Sequence, residues 1–277
     1  MNAIETNRST LAWARIGASL PKPRAILMIS AHWLTRGVAV AATPNPRTIH
    51  DFGAFPKALF AQQYPAPGDP ALASRVAELL APWSVKLDQN WGFDHGTWSV
   101  LGKAFPNADI PVVQLSMDLG RDAQYHYDIG QALRPLRDEG ILIVGSGNVV
   151  HNLSRMDWNA HDRGFDWAQQ FHDYVLKALV ENTPQAVIDY EQAGRAASLS
   201  VPTPDHYWPF LYALGARESD DTLQLTTNYL EYGSLSMLSF VLGQTLQPIE
   251  STAAASVPAS HALTHPSVTI RTTAGAI

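Results

Sequence analysis

The chain has 277 residues, of which 46% are hydrophobic and 16% charged. Globular chains average about 25% charged residues, so this one is long enough for a full core and too apolar to be disordered throughout. Lys and Arg number 19 against 25 Asp and Glu, a net charge of −6; with no stretch concentrating the cations, neither nucleic acid nor a membrane surface is an expected partner. The absence of cysteine excludes disulfides, thiolate zinc sites, iron–sulfur clusters and Cys nucleophiles, so any metal must rest on His and carboxylates.

In chain order, the first residues carry Glu5 and Arg8 with no basic start followed by an apolar block, which predicts no secretory signal and a cytoplasmic address. Apolar β-rich runs predict strands at Ala25–Ser30, Val38–Ala42, Val112–Ser116 and Ile141–Gly145. All fall far short of the ~20 residues that a membrane helix requires. The intervals carry helical patterns at Pro70–Leu80, Asp122–Asp138, Asp166–Val180 and Pro204–Leu214, the last with Thr203 as the expected cap. Leu235–Leu242 fits a strand or a helix equally. This alternation predicts an α/β fold: a single domain with a mixed, mainly parallel central sheet covered by helices. The runs at 25–30 and 141–145 lack polar alternates and should be central strands buried on both faces. From Gln247 onward the chain turns to Ala, Ser, Thr and Pro without periodicity. The expected division is therefore a folded domain over 1–246 and a low-complexity tail over 247–277, in which His261 and His265 receive no role.

Ten histidines are present, and their positions are informative. His32 directly follows the first strand and His151 follows Ile141–Gly145, so two strands deliver imidazoles to one rim, where open α/β sheets place ligands. His206 stands among prolines in Pro204-Asp205-His206-Tyr207-Trp208-Pro209. His50 and His95 lie in loops with aromatic walls, His50-Asp51-Phe52-Gly53-Ala54-Phe55-Pro56 and Gly92-Phe93-Asp94-His95-Gly96-Thr97-Trp98. Such walls suit a flat aromatic ring whose hydroxyls meet imidazoles. A lone histidine at a strand end is more often structural, but five in such strings favour a site. His126 and His172, inside helices, are read as structural. The Gly145-Ser146-Gly147 turn lacks the further glycine and lysine of phosphate loops, and neither a Gly-x-Ser-x-Gly elbow nor a His-Glu-x-x-His motif occurs.

Together with Ser30-Ala31-His32-Trp33, Tyr64-Pro65-Ala66-Pro67-Gly68 and Gly145-Ser146-Gly147-Asn148-Val149-Val150-His151-Asn152-Leu153, these strings resemble the class III extradiol ring-cleaving dioxygenases, DOPA 4,5-dioxygenase type, related to the β-subunit of protocatechuate 4,5-dioxygenase. The resemblance spans roughly residues 10–242. It implies a non-haem metal site with His32 and His206 as ligands, and His151 as the acid–base group beside it. Related subfamilies carry Glu at the position of His206, so a neutral His leaves the site more positive. Fe(II) is the expected metal for activity, with Zn(II) able to occupy the same place. The expected partners are a small aromatic diol and O2, and a homo-oligomer is compatible with the sequence. His95 and His50 would hydrogen-bond the substrate or O2, with Trp33, Phe52 and Trp98 as walls. The resemblance also implies a further ligand in a Gly-His-Gly-Ser-Pro string upstream of the region matching Met1–Gly17, and this chain has no counterpart to it. Because the other strings are intact, a gene start placed too late is favoured over genuine loss of that ligand. Two alternatives stay open: a zinc-dependent hydrolase using the same histidines, and a metal-poor inactive chain lacking one ligand.

Overall fold

The computed structural model describes residues 2–53 and 55–243, and the backbone of 272–273. Its helices are α1 (Arg8–Ser19), α2 (Lys57–Phe60), α3 (Pro70–Leu79), α4 (His95–Ala104), α5 (Ala123–Ala132), α6 (Asp166–Val180), α7 (Pro184–Ile188), α8 (Arg195–Ser200) and α9 (Trp208–Gly215). The strands are β1 (Ala25–Thr35), β2 (Ala39–Ala41), β3 (Lys86–Asp88), β4 (Val112–Asp118), β5 (Ile141–Ser146), β6 (Thr222–Thr227), β7 (Leu230–Glu231), β8 (Leu235–Ser236), β9 (Ser239–Gly243) and β10 (Thr272–Thr273).

Five strands form the central sheet in the order β3-β2-β4-β1-β5. β1 runs parallel to both β4 and β5, and β2 parallel to β3, while the β2–β4 pairing is antiparallel. The mixed, mainly parallel sheet read from the sequence is thus the one observed. Side chains alternate faces along a strand, and β1 divides accordingly. Ala25, Leu27 and Ile29 enter one core with Leu72 of α3, Ile129 of α5, Phe171 of α6 and Leu211 of α9. Ile26 and Met28 enter the opposite core with Trp13 and Ile16 of α1 and Trp98 and Leu101 of α4. A strand covered on both faces cannot afford polar alternates, which is why β1 and β5 read as unbroken apolar runs. β5 is nonetheless an edge strand rather than the central one expected: helices cover both of its faces, while among the described residues only β1 pairs with it. An apolar run reports face burial and not position in the sheet.

Where the sequence and structure differ, the backbone chemistry explains it. The helix expected over Asp122–Asp138 ends at Ala132 and continues as a 3-10 turn over Arg134–Arg137, because Pro135 has no N–H to sustain the ladder. Pro204–Leu214 divides into a turn at Pro204–His206 and α9, and Thr203 makes no side-chain cap. The undecided stretch Leu235–Leu242 contains β8 and most of β9. The expected tail, with His261 and His265, lies outside the described residues apart from β10, which pairs at the edge of the small β10-β9-β6 sheet.

The two helical histidines lie away from the cavity that His32, His95, His151 and His206 line. His172 bonds Ser236 and Asn228. His126 is fully buried, 2.9 Å from the Tyr212 hydroxyl through Nδ1, and packed on Trp208. Burial lowers its pKa to about 4 against the opposing pull of Asp118 and Asp122. Between about 4 and the ordinary 6.5 the unfolded chain binds this proton and the folded chain does not. Stability therefore rises with pH across that window and is lost on acidification. Urea unfolding should show His126→Gln losing less stability than the parent between pH 7 and pH 5, by about 2 kcal/mol; an identical pH dependence would refute the assignment.

Candidate active site

The last part of β1, the start of α4, the loop after β5 and the turn before α9 build the site. The β1–β4 register shifts between Ile29 and Leu34, and His32 sits in that irregular stretch. Beneath it Ser30 Oγ donates to Asp94 Oδ1 at 2.7 Å, and Gln114 donates its amide to the other oxygen of Asp94. Asp94 is fully buried and caps α4 by accepting the Thr97 N–H at 3.0 Å. Burial raises the carboxyl's pKa, with these hydrogen bonds opposing it. One buried network thus ties the strand of His32 to the helix that begins at His95. Gly96 is required there, because a Cβ would collide with Ser30 Oγ and the His32 ring.

His151 leaves β5 through an irregular loop held by its own N–H donating to the Ser200 carbonyl at 2.8 Å. His206 ends the turn before α9, and its carbonyl accepts the Asn148 N–H at 2.8 Å. A Cβ at Gly147 would strike that same carbonyl, so the glycine lets the His206 turn settle on the end of β5.

The result is a cluster of imidazoles. Ring centroids lie 3.8 Å apart for His32 and His95, 5.0 Å for His32 and His206, and 3.5 Å for His151 and His206, the last pair stacked. All four line a cavity of about 490 Å3 whose apolar walls include Trp13, Phe52, Phe55 and Trp98. Burial lowers the His151 pKa to about 4. Burial followed by the charge of His95 brings His32 to about 4 despite Asp51 nearby. His206 is lowered well below its ordinary value by burial and then by its three imidazole neighbours. These three rings are therefore neutral at pH 7, the form that presents a lone pair to a metal.

A donor set for a divalent metal is present. Ligand atoms of His32, Asp51 and His95 all lie within 4.8 Å of one another, and two imidazoles with a carboxylate suit Fe(II) or Zn(II). His206 adds a further donor on the same cavity, with Nδ1 buried and lacking a hydrogen-bond partner. A buried orphan nitrogen of that kind fits a site that a cation completes. The residues present therefore fit a metal.

Two expected site residues are elsewhere. Trp33 neighbours His32 on β1 and turns away from the cavity, stacking on Trp91 at 5.1 Å beside Ala39 and Ala41. The strand continues past His32, so alternation sends successive side chains to opposite faces. His50 does not line the cavity either. Its Nε2 meets the Gln62 carbonyl at 3.0 Å, and its ring packs behind Phe52 and Trp98. The neighbouring residue Asp51 meets the imidazole cluster instead, through His95 and His32. Burial pushes the Asp51 carboxyl up, but the hydrogen bonds and charge of His95 outweigh that and hold it below the usual range. Asp51, Ser146 and Asn148 were within the motif strings and received no role from sequence; a carboxylate beside a histidine in an aromatic loop was the available signal.

Residues 2–243 match the family described as the catalytic LigB subunit of aromatic ring-opening dioxygenase. The chain belongs to that family. As a LigB-family member it is an extradiol ring-cleaving dioxygenase, and neither the hydrolase nor the metal-poor inactive alternative is favoured. It is 49% identical to the 4,5-DOPA dioxygenase extradiol of Escherichia coli K12, covering 88% of this chain and 91% of that one. The enzyme of the same name from Portulaca grandiflora is 40% identical over 79% of this chain and 82% of its own. A crystal structure of an uncharacterized protein from Escherichia coli K12 superposes with a TM-score of 0.76 at 44% identity, over 86% of this chain and 93% of that one. Among the described residues of this LigB-family chain, no helix is long and apolar enough to cross a membrane.

Proposed function

We propose that the substrate is a catechol, a small aromatic 1,2-diol, and that Fe(II) held by His32 and His206 supports opening of its ring by O2. The observation that carries this reading is the convergence of His32, His95, His151 and His206 on one aromatic-walled cavity. Fe(II) bound there would supply Lewis-acid binding of the diol and electron transfer to O2. The reaction adds both oxygen atoms of O2 to the catechol, breaks the ring bond adjacent to the diol, and gives a hydroxymuconic semialdehyde.

The protein's own groups account for orientation and proton movement. Phe52 and Trp98 flank the space for a flat ring. His151, kept neutral at pH 7 by burial, takes the proton of the second hydroxyl as the diol binds. The negative charge of the diolate favours the protonated imidazole, so the proton is retained and later returned to a substrate oxygen. His95 is placed to hydrogen-bond the diol or O2. The compartment we assign is the cytoplasm, whose reducing conditions keep iron ferrous.

Separate loading with Fe(II) and Zn(II) tests the reading. Catechol or DOPA in air should give the yellow ring-opened product with Fe(II) alone, while Zn(II) occupies the site without turnover. Turnover under argon, or equal turnover with Zn(II), would overturn it.

A further inference from the structure

Asp51 is one of three residues whose donor atoms cluster at the site, but the proposed iron ligands are His32 and His206, and the carboxylate is directed at His95. Oδ1 accepts the backbone N–H of His95 at 2.8 Å, and Oδ2 lies 2.9 Å from Nδ1 of the same residue. The carboxylate therefore grips both the first residue of α4 and its ring. That N–H is one of the donors a helix start leaves without an internal partner, and Asp94, the cap of α4, is already committed to Thr97. Phe52 closes on the His95 ring edge to face, at 5.5 Å and 89°, so the ring is held in orientation as well as position.

An ionised carboxylate only accepts hydrogen bonds. A neutral imidazole bonded to it through Nδ1 must carry its proton on Nδ1, which leaves Nε2 with a lone pair available to an occupant of the cavity. We infer that Asp51 is a positioning residue: it fixes His95 as the Nδ1-protonated tautomer, so that Nε2 accepts a hydrogen bond from a substrate hydroxyl. This deepens the ring-opening reading and rests on it for the identity of the hydroxyl. Asp51 Oδ2 is also 3.7 Å from His32 Nδ1, which makes direct metal ligation the rival role for the same carboxylate.

Asp51→Asn separates the two. Its amide keeps a carbonyl for the His95 N–H but turns a donor toward Nδ1, which reverses the tautomer without changing the side-chain shape. Two-bond 1H–15N correlations of His95 in the full metal-free chain should show Nδ1 protonated in the parent and Nε2 protonated in Asp51→Asn. In the Fe(II)-loaded protein, kcat should fall roughly 100-fold or more with KM changed little, and iron occupancy should stay at the parental level. The substitution should add less than about twofold to the loss already caused by His95→Gln, as expected of two residues acting as one unit. Asp51→Glu, which keeps the carboxylate, should retain the parental tautomer and recover part of kcat, and it can be read if the Asn variant does not fold. An unchanged tautomer in Asp51→Asn, a reversed one in Asp51→Glu, additive kinetic losses, or loss of iron would each overturn the inference. The NMR result is independent of turnover, so a parent that opens no catechol would refute the ring-opening reading while the tautomer is still decided.

Discussion

His206→Ala is expected to remove bound metal and ring cleavage together. The imidazole is deeply placed at the end of a proline-stiffened turn, its Nδ1 has no protein hydrogen bond, and burial, followed by the neighbouring imidazoles, keeps it neutral. Loss of a direct ligand should lower metal affinity by more than the 10–100-fold typical of groups that merely support ligands. The fold should persist, because the contact anchoring the turn is the backbone carbonyl of His206 with the Asn148 N–H, which alanine keeps. Iron titration of the purified variant, alongside its unfolding curve, reads both effects. Parental iron affinity in a folded His206→Ala protein would remove His206 from the ligand set.

His151→Ala should separate binding from chemistry. The ring is stacked 3.5 Å from His206 and is the proposed proton acceptor, so its removal should leave metal content near the parental level. Loss of a positioned acid–base group typically costs 10²–10⁴-fold in rate, and that loss should fall on kcat more than on KM. Transient and steady-state kinetics with a catechol measure it. Loss of metal with rate in strict proportion would instead make His151 a ligand, and an unchanged kcat would deprive it of any proton-transfer role.

Much of the scaffold was legible because burial on both faces leaves its mark in composition. Ala25–Ile29 and Ile141–Val144 have no polar alternates, and the chain forms strands buried on both faces there, although only the first of them is interior to the sheet. The α6 boundaries were equally plain, since Trp167, Phe171, Tyr174 and Val175 keep helical spacing. Helix α4 was hidden because its first turn holds the glycine that the site needs, and its apolar face is short; Asp94 followed by Thr97 was the remaining signal. At the site, His32, His151 and His206 were legible as imidazoles at element ends. The choice between His50 and Asp51 was not, because it depends on which of two adjacent side chains meets the incoming α4, a tertiary contact between residues 44 positions apart. Trp33 failed for a related reason: the sequence does not reveal that β1 continues beyond His32, and alternation along that extension turns the tryptophan to the other face.

Oxygen uptake tests the central claim most directly. With Fe(II)-loaded protein and a limiting amount of catechol, the account predicts one O2 consumed per catechol, no hydrogen peroxide released, and a matching amount of semialdehyde formed. Peroxide released in proportion to O2, with quinone as the product, would mean that the cavity merely oxidises the diol, and absence of O2 uptake would contradict a ring-opening site altogether.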